Sequence, residues 1–215
     1  MNLSYKSYWR KTGLKGKWGN IFLQRLSTYN PKNVLEIGVF CGVTARNTCD
    51  LLEKINGKDF SYIGVDLFGS DQNEKKDEIE PTFLKDQKFS NPLKNIYYNY
   101  ILRENLNSIE SVSKLLKKYS SNIKLIAGDT NKVLKEINLQ NIDFVFLDGG
   151  HSYQTVTSDL SILYESMRGK NKVILCDDYG EASFIQEVKK AIEDFSNKNN
   201  IKINTIENRF AELIF

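Results

Sequence analysis

The stretch Ile142-Asp143-Phe144-Val145-Phe146-Leu147-Asp148-Gly149-Gly150-His151-Ser152-Tyr153 decides how this 215-residue chain folds. Its first half is a near-continuous apolar run, the mark of a central strand buried on both faces. The run then stops abruptly in a carboxylate, two glycines and the chain's only histidine. A strand that is merely buried does not need that tail. The same pattern recurs in Val173-Ile174-Leu175-Cys176-Asp177-Asp178-Tyr179, where a second buried run ends in two adjacent carboxylates.

Working outward from Asn33, such runs alternate with helical patterns, which yields an α/β fold with a mostly parallel sheet and helices on both faces. Strands are expected at Val34–Gly38, Ser61–Asp66, Ile123–Ala127, Ile142–Asp148, Lys172–Asp177, Ile201–Glu207 and Arg209–Phe215. Helices are expected at about Thr44–Ile55, Asn131–Glu136, Gln154–Met167 and Ala182–Phe195. Glu207 and Asn208 alone part the last two strands, which forces a hairpin and an antiparallel final pair.

A chain of this length forms one domain and buries about 70% of its unfolded surface. A hydrophobic fraction of 40%, with 12 Phe and 11 Tyr, excludes disorder of the whole chain. The net charge of +3, from 30 basic and 27 acidic residues, is too balanced to indicate a nucleic-acid partner. Residues 1–32 form a basic N-terminal arm, with Lys6, Arg10, Lys11, Lys15, Lys17, Arg25 and Lys32 and no acid. Its ordinary reading is a solvated leader, and its functional one a surface facing an anionic ligand.

The domain proper spans 33–215 and carries an insertion at 68–120. That insertion holds a charged stretch at Asp71–Glu80, Pro81, Pro92, the aromatics Tyr97, Tyr98 and Tyr100, and one clear helix at Ile109–Tyr119. It lies beside the carboxyl ends of the strands, as either a substrate lid or a surface elaboration. Cys41, Cys49 and Cys176 match no CxxC metal spacing and suit small buried residues in a reducing compartment. No membrane span or secretory signal is read, so a soluble cytoplasmic protein is expected. Homo-oligomerisation is left open, because no motif speaks to it.

The first strand leads into Val34-Leu35-Glu36-Ile37-Gly38-Val39-Phe40-Cys41-Gly42, where glycines let the backbone approach a ligand closely. The G-x-x-x-G spacing lacks the G-x-G-x-x-G of pyrophosphate binders, which disfavours a nicotinamide or flavin dinucleotide. Asp66 closes the second strand, where a carboxylate can accept hydrogen bonds from both ribose hydroxyls. After the third strand, Asp129 in Gly128-Asp129-Thr130 could reach an adenine amine or simply cap the next helix.

Asp148, Asp177 and Asp178 close neighbouring parallel strands that lie about 4.8 Å apart, so their carboxylates can converge on one point. So close together they repel unless a cation sits among them, and a hard divalent metal, magnesium by default, is the natural candidate. The structural alternative has Asp148 and Asp178 capping the following helices and Asp177 facing solvent. Consecutive side chains also diverge readily, which leaves open whether both Asp177 and Asp178 bind.

Together, Glu36-x-Gly38, the strand-ending Asp66 and Gly128-Asp129 resemble the cofactor motifs of Rossmann-like S-adenosylmethionine-dependent methyltransferases, over about residues 33–215. The resemblance implies S-adenosylmethionine as cofactor. It gives Gly38 and Gly42 the close approach to its methionine moiety, Glu36 an organising or amino-group contact, and Asp66 the ribose. The family's third glycine is replaced by Val39 or Phe40. The Asp-Gly-x-His-Ser-Tyr string and the Asp177-Asp178 pair are similar to metal-dependent macrocin-type sugar O-methyltransferases, and more distantly to catechol O-methyltransferase. There an acid after the fourth strand and a pair after the fifth hold magnesium, roles that fall here to Asp148, Asp177 and Asp178. His151 stands where catechol-type enzymes carry a lysine base, and an imidazole with an ordinary pKa near 6.5 can take a hydroxyl proton or support the metal ligands.

The implied activity is methylation of a hydroxyl on a sugar, nucleotide sugar or small secondary metabolite. Two other readings compete: a non-catalytic cofactor-binding scaffold of the same fold, and a nucleotide-sugar or dinucleotide oxidoreductase. A nucleic-acid acceptor is disfavoured, because Leu147-Asp148-Gly149-Gly150 stands where DNA amino-methyltransferases carry N/D-P-P-Y.

Overall fold

The computed structural model describes residues 3–69, 86–169, 172–182 and 185–215. Seven strands form one sheet: β1 (Asn33–Ile37), β2 (Ser61–Asp66), β3 (Ile123–Ala127), β4 (Phe144–Leu147), β5 (Val173–Cys176), β6 (Ile203–Ile206) and β7 (Phe210–Ile214), in the order β3-β2-β1-β4-β5-β7-β6. The first five are parallel, and β7 is antiparallel to both β5 and β6. Glu207 and Asn208 both adopt φ +53°. The register pairs Ile206 with Phe210, so the loop is Glu207–Arg209, one residue longer than the sequence reading allowed, and its first two residues take the left-handed conformation that tight hairpin turns use.

The alternation in the central strands builds two cores. Leu35, Ile37, Val145, Leu147, Ile174 and Cys176 face one side, against α6 (Tyr153–Met167) and α7 (Gln186–Asn199). Val34, Phe144, Phe146, Val173 and Leu175 face the other, against α1 (Lys17–Tyr29) and α2 (Val43–Asn56). Each fully buried Leu or Phe contributes about 1.5–3 kcal/mol. The remaining helices are α3 (Pro92–Ile96), which runs into one π turn at Tyr97–Ile101, α4 (Ile109–Leu115), and the short α5 (Thr130–Val133).

The register places the site. The pairs Val65↔Ile37, Ile37↔Leu147 and Leu147↔Cys176 are level across the sheet. The next residues, Asp66 at the last position of β2 and Gly38, Asp148 and Asp177 one step beyond β1, β4 and β5, therefore lie level along a single line. Between β1 and β4 the strand order reverses, and the crevice at such a reversal is where open α/β sheets take ligands.

The N-terminal arm is not a solvated leader. Residues 17–29 of it are α1, and the segment before α1 lies along α2. The Tyr5 hydroxyl is 2.7 Å from Thr44 Oγ1, and the Lys6 N–H and C=O bond the Asn47 side chain at 2.9 and 2.8 Å. Leu14 and Arg10 are buried. Within the insertion, Asp71–Glu80 and Pro81 lie outside the described residues. Ile109–Tyr119 divides into α4 and a 3₁₀ turn at Lys117–Tyr119, and the helix expected from Ala182 begins at Gln186. All three cysteines are free and buried. Among the described residues, no helix is long and apolar enough to cross a membrane.

Candidate functional site

After β1 the chain turns sharply through Gly38 (φ +91°), Phe40 (φ +52°) and Gly42 (φ +75°) into α2. A Cβ on Gly38 would sit 2.0 Å from the Asp148 carbonyl oxygen, so only glycine lets the turn lie against the end of β4. Phe40 takes a left-handed conformation where the glycine pattern has a bulky residue. Its N–H donates to Asp66 Oδ2 at 2.8 Å, while Asp66 Oδ1 accepts the Phe68 N–H at 2.8 Å. Burial raises the Asp66 pKa, and these amides oppose the rise. Asp66 thus ties the end of β2 to the glycine turn.

Glu36 is 1% exposed. Its Oε2 accepts the Tyr62 hydroxyl at 2.9 Å, and its Oε1 is buried without a hydrogen-bond partner. Burial pushes its pKa up to about 8, the Tyr62 bond pulling the other way and Asp66 adding to the rise. Asp129 caps α5, accepting the Asn131 N–H at 3.0 Å. That is the plainer of its two expected roles.

Two segments pack on the turn. Tyr98 and Leu106 bury Cys41, with Phe40 and Phe89 against them, so the described part of the insertion touches the turn itself. From the other side, Arg10 donates to the Cys41 carbonyl at 3.2 Å and the Ser111 carbonyl at 3.0 Å. Neither Arg10 nor this packing was read from the sequence.

At the ends of β4 and β5 a small cavity is lined by Asp148, His151, Asp177 and Asp178 and, on its apolar side, by Val156, Val188 and Ile192 of α6 and α7. The capping alternative does not hold for the two acids it named: Ser152 caps α6 through the Thr155 N–H, and Ile185 stands at the N-cap of α7. Burial, then the charges of Asp177 and Asp178, pushes the Asp148 pKa well above the usual carboxylate range. His151 Nε2 lies 3.2 Å from Asp178 Oδ2. Asp178 has φ +58°, which turns its side chain away from that of its neighbour.

The cation expected among these acids is in part already there. Arg209 donates from Nε to Asp177 Oδ1 and from Nη2 to Asp177 Oδ2, both at 2.7 Å. Asp177 is 3% exposed, and this fork occupies both its oxygens. The residue expected as a third metal ligand is thus paired with an arginine. Among the described residues, no three His, Cys, Asp or Glu side chains gather closely enough to enclose an ion. Asp148 and Asp178 remain. Magnesium typically takes one or two carboxylates and completes its shell with water and substrate oxygens, so this pair fits it. Arg209 escaped the sequence reading because it ends the hairpin loop rather than a parallel strand. The antiparallel course of β7 was the signal, since it brings the start of that strand to the carboxyl end of β5.

Residues 35–179 match a family model described as methyltransferase domain. No curated protein sequence matches the chain. Among solved structures, the chain is similar to calicheamicin methyltransferase CalS11 (14% identity, 91% of this chain and 77% of that one, TM-score 0.62). It is also similar to the O-methyltransferase TomG from Streptomyces achromogenes (12%, 94% and 81%, 0.61) and to the methyltransferase PaMTH1 from Podospora anserina (14%, 93% and 79%, 0.59). At these identities the likeness shows the fold. The family match spans the glycine turn, Asp66, Asp148 and both acids after β5, and by it the chain belongs to the methyltransferase family.

Proposed function

We propose that this enzyme is an S-adenosylmethionine-dependent O-methyltransferase that methylates a hydroxyl of a sugar, nucleotide sugar or small secondary metabolite with the help of a divalent cation. The observation that carries the reading is the level placement of Asp66, Gly38, Asp148 and Asp177 at the carboxyl ends of their strands, which sets a cofactor turn beside a cavity that three aspartates line. TomG was solved with S-adenosylmethionine and PaMTH1 with S-adenosylhomocysteine, and both support the cofactor. TomG and CalS11, named for tomaymycin synthesis and calicheamicin, support a secondary-metabolite acceptor.

In this reading Gly38 and Gly42 give the methionine moiety its close approach, Glu36 faces its amino group, Asp66 meets the ribose and Asp129 stands near the adenine. Asp148 and Asp178 would hold the cation. When bound, S-adenosylmethionine supplies an electrophilic methyl, and a divalent cation acidifies a coordinated hydroxyl. Asp178 orients His151, which accepts the hydroxyl proton as the acceptor oxygen takes the methyl. Tyr98 and its neighbours, packed on the turn, exclude water from one side.

Calorimetry with S-adenosylhomocysteine, followed by methyl-transfer assays on hydroxyl acceptors with and without magnesium, tests the proposal. Cofactor binding with turnover that disappears in excess chelator is expected. Cofactor binding without turnover on any hydroxyl would favour a scaffold, and full activity in chelator would remove the metal from the reaction.

A further inference from the structure

We propose that Arg209 is the resident cation of the acidic cluster and that it limits the cluster's hold on a divalent ion by keeping Asp177 out of the donor set. This rests on the metal-assisted reading above and gives the reason for its donor set: Asp148 and Asp178 take the ion, and Asp177 does not.

The guanidinium is fixed from several directions. Its fork meets both Asp177 oxygens at 2.7 Å. Its backbone carbonyl accepts the Tyr179 N–H at 2.7 Å, and its Cζ lies 5.5 Å from the Trp18 ring and 5.6 Å from the Phe210 ring. Asp177 is equally fixed, its N–H bonded to the Leu147 carbonyl at 2.9 Å. The backbone then reverses at Asp178, so the two consecutive carboxylates serve different partners, Arg209 on one side and His151 on the other. One guanidinium, committed to both oxygens of Asp177, leaves two carboxyl groups that it does not pair, Asp148 and Asp178. A planar, always-charged fork is the side chain that holds Asp177 in this way.

The test uses cofactor-free protein and Mn²⁺ alone, with binding read by electron paramagnetic resonance. Arg209→Met removes the competing charge and releases Asp177, and Mn²⁺ should bind about tenfold or more tightly than in the wild type. The double variant Asp177→Asn with Arg209→Met removes the pair as a unit, keeps the charge balance, and should bind within about threefold of the wild type. It also decides the matter if Arg209→Met alone fails to fold. Unchanged or weaker binding by folded Arg209→Met overturns the proposal, as does loss of binding in the double variant, which would make Asp177 a ligand. If only Arg209→Met binds Mn²⁺, the metal-assisted reading fails while the role of Arg209 stands. If no form binds it, both fail.

Discussion

Replacing Glu36 by glutamine should stabilise the cofactor-free enzyme in a way that grows with pH. In the unfolded chain Glu36 loses its proton near 4.5, whereas burial beside Tyr62 holds it on the folded protein up to about 8. Between those values the folded state binds more protons than the unfolded one, so this residue makes stability fall as pH rises, fully present below about 4.5 and lost by about 8. At about 1.4 kcal/mol per unit, the window of roughly 3.5 units sets an upper bound of about 4–5 kcal/mol. Glutamine keeps the shape and the acceptor for the Tyr62 hydroxyl but does not titrate.

Urea unfolding of both proteins at pH 5, 6.5 and 8 isolates the effect, because Asp66, Asp148 and Asp177 titrate in both and cancel to first order in the difference. The stability difference is expected below about 1 kcal/mol at pH 5, rising to between about 2 and 4 kcal/mol at pH 8. A difference that is the same at all three pH values would refute the reasoning. Stability gained this way should be paired with weaker S-adenosylhomocysteine binding, since the proposed site uses the carboxylate to meet an ammonium.

Gly38→Ala drives a methyl into the Asp148 carbonyl and strains φ +91°, so a loss of more than about 3 kcal/mol is expected in a thermal melt. Arg10→Met strips buried partners from the Cys41 and Ser111 carbonyls. It should cost about 2–3 kcal/mol and weaken S-adenosylhomocysteine binding while leaving Mn²⁺ binding alone, which paired calorimetry and spin-resonance titrations would show. Asp148→Ala should abolish turnover and Mn²⁺ binding with cofactor affinity within about threefold of the wild type; full activity would remove the acidic cavity from the chemistry. Asp66→Ala should do the reverse, losing about tenfold or more in cofactor affinity as two backbone amides and the proposed ribose contact lose a carboxylate.

The sheet was legible because its central strands are apolar on both faces and end in residues with no packing role; Phe144–Leu147 and Val173–Cys176 needed only their flanks to be read. The hairpin was legible because so short a connection leaves no other geometry, although its loop takes three residues rather than two. The arm was not: Trp18, Ile21, Phe22, Leu23 and Leu26 do form an apolar stripe in α1, but nothing local says that Tyr5 and Arg10 belong on α2 and its turn. Asp129 kept two readings because a helix cap and an adenine contact need the same residue at the same place. The arginine beside Asp177 was hidden for a different reason. It stands 32 residues away, just before an antiparallel strand, and a count of carboxylates at parallel strand ends does not include what the opposite strand brings.

Backbone strain points to the same end of the sheet without any appeal to family. Ten non-glycine residues among those described have positive φ. Asn30 and Asn200 are helix C-caps, and Glu207 and Asn208 make the hairpin turn, so four have local explanations. Of the other six, Phe40, Phe68 and Asp178 lie in the turns that follow β1, β2 and β5. Tyr8 and Trp9 lead into Arg10, which holds the Cys41 carbonyl, and Arg103 follows the π turn whose Tyr98 covers Cys41. A left-handed non-glycine residue costs about 1–2 kcal/mol and persists only where its surroundings over-determine it. A scaffold selected for stability alone has no reason to collect six around one turn and one acidic cavity. Phe40 and Phe68 donate their N–H groups to Asp66, and Asp178 is itself one of the six, so the strain falls where two carboxylates of the proposed site are set.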